Sequence, residues 1–218
     1  MTKLFSQNSN FTANVDMEMK MQDSTMTMPG KLAFSGGKSR FEMDTTKMKG
    51  ANIPPGAAEQ MKQMGMAEMV SITRPDKKES YIIYPGLKAY AVMPTTEGEA
   101  KDSAAADKAD IKKTELGKET VDGHPTTKSK VVVKDADGKE TEFTVWNASD
   151  LKDFPIKMET VNEGVPSTIS YKEVKLEKPD DALFEPPADF QRFNDVGAMV
   201  REMMMKRMAP PGGPAPQK

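Results

Sequence analysis

The chain has 218 residues, enough to bury a sizeable core, of which 37% are hydrophobic and only 6% aromatic. Its 31 basic and 33 acidic residues are well mixed and leave a formal net charge of −2, so it has no strong field with which to gather nucleic acid or an anionic membrane. It contains no cysteine, which excludes disulfides, thiol catalysis and thiolate metal sites together.

The first element is the clearest. Phe11, Ala13, Val15, Met17, Met19 and Met21 alternate with Thr12, Asn14, Asp16, Glu18, Lys20 and Gln22. This period-two pattern belongs to a strand with one dry and one wet face, as in an antiparallel sheet. Leu32 and Phe34, then Gly36-Gly37, then Phe41 and Met43 read as a hairpin. Residues 54–64 (PPGAAEQMKQM) read as a short helix stopped at Gly65. Val70 and Ile72 lead into Arg74-Pro75-Asp76, and 81–84, Pro85-Gly86 and 88–93 form a second hairpin. The small, polar stretch 97–109 predicts a flexible loop or a weak helix. Residues 128–134 and 140–146 flank Asp135-Ala136-Asp137-Gly138 as the strongest hairpin, and 156–161 and 168–176 flank Asn162-Glu163-Gly164 as a fourth. The expected count is about nine or ten strands. Phe193, Val196, Val200, Met203 and Met204 form a stripe at helical spacing, predicting a helix over 193–208. The Pro- and Gly-rich stretch 209–218 predicts a disordered tail. The expected fold is mainly β: one curved antiparallel sheet over 1–190 with helices on its concave side, the helix within 191–208 packing on the same domain.

Candidate chemistry is sparse. His124 is the only histidine; no Gly-x-Ser-x-Gly elbow accompanies it, and Gly123 and Pro125 set it on a turn. Lys139 falls where a calcium loop built on Asp135 and Asp137 would need a third oxygen ligand. No acidic pair stands out for glycoside hydrolysis. The sequence thus predicts no catalytic residue, no metal site and no cofactor. Its anomaly is methionine, with 19 residues. Three readings stand open: ordinary core packing, a flexible lining for an adaptable apolar cavity, and thioether ligands for Cu(I). Strand and helix periodicity is what packing predicts, and one histidine with no cysteine counts against copper. For an apolar binding face the candidate lining is Met17, Met19, Met21, Phe34, Met61 and Met64, with Val200, Met203 and Met204 from the terminal helix.

Five motifs carry a resemblance. Arg74-Pro75-Asp76, Tyr81-x-x-Tyr84-Pro85, Thr120-Val121-Asp122-Gly123-His124, Val145-Trp146-x-Ala148-x-Asp150-Leu151-x-x-Phe154-Pro155 and Leu183-Phe184-Glu185-Pro186-Pro187 resemble a bacterial exported family of unknown function, related to the LolA/LppX-like lipoprotein carriers. The resemblance implies an incomplete β-barrel with helices on its concave face and a cavity sheltering acyl chains in the periplasm. It carries over no functional residue: for the lid-latching arginine of LolA proteins Arg40 and Arg74 stand as alternatives, and neither is singled out. It also implies a periplasmic or outer-membrane-associated mature form. The segment after Met1 (Thr2, Lys3, Leu4, Phe5) has no signal-peptide core, so the signal sequence and any lipid-anchor cysteine are expected upstream. The expected partners are a lipid or another hydrophobic ligand and an envelope receptor or membrane lipoprotein. The chain is expected to act as a monomer.

Overall fold

A computed structural model describes residues 5, 8–21, 24–50, 54–94, 110–134, 138, 140–162 and 164–208. The stretches 97–109 and 209–218 and the turn residues 135–137 lie outside the described residues. Twelve strands form one sheet: β1 (Asn10–Lys20), β2 (Thr25–Ser35), β3 (Lys38–Asp44), β4 (Glu68–Arg74), β5 (Glu79–Tyr84), β6 (Ala89–Pro94), β7 (Asp110–Val121), β8 (His124–Lys134), β9 (Glu140–Ala148), β10 (Phe154–Asn162), β11 (Val165–Lys175) and β12 (Gln191–Phe193). Two α-helices accompany them, α1 (Ala57–Met64) and α2 (Val196–Met208).

The sheet order is β12-β6-β5-β4-β3-β2-β1-β11-β10-β9-β8-β7. It is an open sheet, not closed into a barrel. Every pairing is antiparallel except that of β12 with β6. Two strands are additions to the expected set. β7 carries Lys112, Lys113, Glu115, Lys118 and Glu119, the kind of charged edge that resists pairing with other chains. β12 takes Phe193 out of the expected helix, and Asp195 caps α2 by accepting a hydrogen bond from the Ala198 amide at 2.6 Å.

Residues paired across neighbouring strands point to the same face, so the register assigns every side chain. On the first face, Phe11, Ala13 and Val15 of β1 join Val131, Val145, Phe154, Ile156, Met158 and Tyr171 in the largest buried cluster. Phe11 and Phe154 sit on β1 and β10, two strands apart, or roughly 9–10 Å at the usual spacing. Their ring centroids are nonetheless only 4.8 Å apart. The sheet therefore curls toward this face, which is concave here. Phe5 closes the cluster, stacking on Phe11 at 5.3 Å and meeting Tyr171 edge-on. Burial among these rings pushes the Tyr171 hydroxyl well above its ordinary pKa.

On the second face, β2 to β6 bury Ala33, Val70, Ile72, Tyr81, Ile83 and Val92 beneath Phe184, whose side chain is fully buried. Phe184 arrives on a 3-10 turn, Asp181–Phe184, after β11. The chain then rounds the sheet edge as β12, and α2 lands on the first face with Met199 fully buried near Ala89 and Ala91. Helix α1 buries no residue completely and lies beside the 3-10 turns Thr45–Lys47 and Pro85–Leu87. Its C-cap, Gly65, meets Gly86 so closely that a Cβ on Gly86 would stand 2.6 Å from the Gly65 carbonyl oxygen.

Candidate functional site

Methionines continue the concave face where the aromatic cluster stops. The register sets Met17 opposite Met28 and Met19 opposite Met26 between β1 and β2. It sets Met43 opposite Met69 between β3 and β4, with Gly30 linking Val15 to Met43. All six methionines are half-buried. Gly30 has a packing reason: a Cβ there would lie 2.6 Å from the Phe41 ring, which leans over the gap. On the outer side Met17 faces Ile169 of β11, which faces the buried Met158 of β10.

Charge is fully segregated across β1 to β6. Asp16, Glu18, Lys20, Lys31, Lys38, Arg40, Glu42, Asp44, Glu68, Arg74 and Glu79 all alternate onto the second face. The first face there holds only apolar residues, Ser39, Ser71, Thr73, Ser80 and the Tyr84 ring. A hollow of about 420 Å³ on the second face is lined by Asn14, Asp16, Lys31, Glu42, Asp44 and Lys172 among others. Pro29, Gly30, Met43, Met69 and Val70 also line it, so its walls mix charged and apolar groups.

Of the expected lining, Met17 and Phe34 pack against the aromatic cluster, Phe34 stacking on Phe11 at 5.5 Å. Met19 extends the same row. Met21 leaves it: β1 ends at Lys20, and Met21 is 40% exposed, its amide donating to the Ser24 carbonyl. Met61 and Met64 are half-buried on α1, apart from the sheet residues in sequence and register. Met203 joins Met199, Val196 and Phe193 against β6, while Val200 and Met204 are half-buried beside it. The structure thus brings Met17, Met19 and Phe34 together and adds Met26, Met28, Met43 and Met69. Alternation within 25–35 could have revealed Met26 and Met28, but Pro29 and Gly30 interrupt it.

Arg40 and Arg74 both donate to the segment that carries Phe184. Arg74 donates through Nε and Nη2 to both Asp76 oxygens at 2.8 and 2.6 Å, through Nη1 to the Phe184 carbonyl at 3.2 Å, and pairs with Glu185. Arg40 donates to the Leu183 carbonyl at 3.1 Å. Lys38 pairs with Asp181 at 2.5 Å and lies over the Phe184 ring. Hydrogen bonding to Asp76 raises the Arg74 guanidinium pKa further, and Arg74 in turn holds Asp76 down to about 2.

His124 sits beyond the β7–β8 turn with Nδ1 2.8 Å from Asp150. Among the described residues no three His, Cys, Asp or Glu side chains converge as a metal site, and no helix is long and apolar enough to cross a membrane.

Among solved structures, the chain is similar to the lipoprotein LppX of Mycobacterium tuberculosis, at 8% identity over 82% of this chain and 93% of that one, with a TM-score of 0.47. It is similar to LprF of Mycobacterium bovis at 12% identity, over 82% and 95% of the two chains, with a TM-score of 0.42. A LolA superfamily protein of Nitrosomonas europaea gives 12% identity, 82% and 90% coverage and a TM-score of 0.36. Comparison with curated proteins gives no match. A family described as a domain of unknown function (DUF4412) matches residues 11–154, from the first aromatic of β1 to the start of β10. The chain belongs to the DUF4412 family.

Proposed function

We propose that this protein is a non-catalytic binding protein of the bacterial cell envelope, and that its concave methionine face shelters the acyl chain of a lipid. One observation carries the reading: six methionines, paired in register across four adjacent strands on an uncharged face, are only half-buried. Packing alone would bury them, as it does Met158 and Met199. Methionine has three rotatable bonds and a polarizable sulfur, so such a surface can repack around chains of differing shape. No observation favours the copper carrier over this reading.

The test is a titration of the purified protein with a fluorescent acyl probe, beside mass spectrometry of organic extracts from protein gently purified from an envelope fraction. Saturable probe binding that Met28→Glu weakens, with the fold retained by circular dichroism, is expected. Probe binding unchanged by Met28→Glu, or absent from the folded wild-type protein, would overturn the reading.

A further inference from the structure

The same face carries reactive sulfur, and its chemistry points beyond binding. The chain has no cysteine and 19 methionines, so thioethers are its main soft, oxidisable groups. Burial sorts them. Met158 is 4% exposed and Met199 is fully buried, whereas Met17, Met19, Met26, Met28, Met43 and Met69 are half-buried on the concave face. Met21, Met93 and Met205 are more exposed still, so a reagent in solution meets those three first, the six face methionines next, and Met158 and Met199 last.

We infer that these six methionines form a modification site at which peroxide switches the face from apolar to polar and releases its ligand, an inference that rests on the proposed apolar binding. In the step, a sulfur lone pair attacks one oxygen of hydrogen peroxide. The S–O bond forms as the O–O bond breaks, and the departing hydroxide takes up a proton to leave as water. Sulfur loses two electrons and the peroxide gains them. The product sulfoxide is polar and demands hydrogen-bond partners. Across β1 to β4 this face offers only the hydroxyls of Ser39, Ser71 and Thr73, so water must enter to solvate the new dipoles. Cross-strand pairing concentrates the effect, because each oxidised sulfur has another directly opposite. The fold is expected to survive, since of the six only Met17 packs against the aromatic cluster and Met158 lies buried within it. Sulfoxide reduction restores the thioether and hence the apolar surface.

The experiment treats the full chain with graded hydrogen peroxide, maps oxidation by peptide mass spectrometry, and measures binding of a fluorescent acyl probe at each step. The six face methionines are expected to oxidise ahead of Met158 and Met199, with circular dichroism unchanged and probe affinity falling about tenfold or more. For a variant carrying M17L, M19L, M26L and M28L, probe affinity is measured before and after treatment against the variant's own untreated value, and the peroxide-induced loss is expected to be much smaller than in wild type, because leucine has no sulfur to oxidise. Loss of binding in this variant equal to that of wild type would overturn the switch. So would oxidation of all six without loss of binding, or oxidation of Met158 at the same rate as Met19. Absence of probe binding before any peroxide is added would instead overturn the proposed function.

Discussion

The two halves of the sheet bury opposite faces, and they do so by different means. From β1 through β11 to β8, the concave face closes on its own side chains: Phe11, Phe154 and Tyr171 meet because the sheet curls. From β3 to β6, the other face is closed by borrowed chain, the 3-10 turn that delivers Phe184 and is held by Arg40, Arg74 and Lys38. The first half depends on ring packing that no single contact controls. The second depends on a segment outside the strands, joined to them by one fully buried ring, Phe184, and by polar contacts. Beyond the reach of that cluster the same face of β1 to β4 has neither device, and there Met19, Met26, Met28, Met43 and Met69 lie.

Truncating one large side chain in each half should separate their behaviour most. Phe154→Ala removes a fully buried ring from the curled half and should cost about 3–5 kcal/mol of global stability. Phe184→Ala removes an equally buried ring, but its loss should be limited by local release of residues 181–208. Urea unfolding should therefore show a smaller shift for Phe184→Ala, while hydrogen exchange rises selectively in 181–193. Equal global losses with no local signature would show that the attached segment is as integral as the strands.

A carboxylate scan locates the boundary between packing and methionine surface. Met17→Asp should destabilise by about 2–3 kcal/mol, because Met17 touches the aromatic cluster and a poorly solvated carboxylate finds no partner there. Met19→Asp, one pair further out, should cost about 1 kcal/mol or less, and Thr12→Asp on the wet face about 0.5 kcal/mol or less. Thermal melts of the three variants give the order; Met19→Asp as costly as Met17→Asp would place the outer methionines inside the core.

Arg74 tests the attachment itself. Replacing it with Met strips Asp76, Glu185 and the Phe184 carbonyl of their shared donor and should cost about 2 kcal/mol, with faster proteolysis near 181–190. Lys at this position should recover less than half of that, since it cannot span both Asp76 oxygens and a carbonyl with one planar fork. Full rescue by Lys would mean that charge alone holds the segment.

Much of this was legible because period-two alternation reports one dry face. β1 announces itself through Phe11 to Met19, and the hairpins from β2 to β6 and from β8 to β11 follow from turn residues between apolar runs. β7 was hidden because its residues are wet on both sides, with Ile111, Leu116 and Val121 its only large apolar residues. β12 was hidden because three residues pairing in parallel with β6 leave no local pattern. The helix start at Val196 could have been read from Asp195 as a cap, but the stripe beginning at Phe193 overrode it, so fully buried Met199 was missed. Arg40 and Arg74 each donate to a different carbonyl of the turn that carries Phe184, a long-range contact that no local sequence pattern reports. The methionine pairs of β2, β3 and β4 required register, which is non-local and invisible to periodicity in one strand.

The smallest expected effect is acid release of the attached half. Hydrogen bonds from Arg74 hold Asp76 down to about 2, and those from Lys178 and Lys38 hold Asp181 down to about 2. Lys77 first and Arg74 next keep Glu185 below the usual carboxylate range. A carboxyl whose folded pKa lies below its unfolded value binds protons more tightly when unfolded. Its contribution is therefore fully present above the unfolded value near 4 and is lost as pH falls toward 2. The aromatic cluster of the other half contains no carboxylate; that half's Glu119, which Trp146 holds below the usual carboxylate range, lies on the edge strand β7, outside the cluster. Lowering the pH from 5 to about 2 should raise hydrogen exchange in 181–193 while 154–158 stays protected. Because these carboxylates are largely exposed, water and salt weaken their pairs, and adding salt at pH 5 should mimic part of the effect. Acid that opens 154–158 together with 181–193 would show that the two halves unfold as one unit.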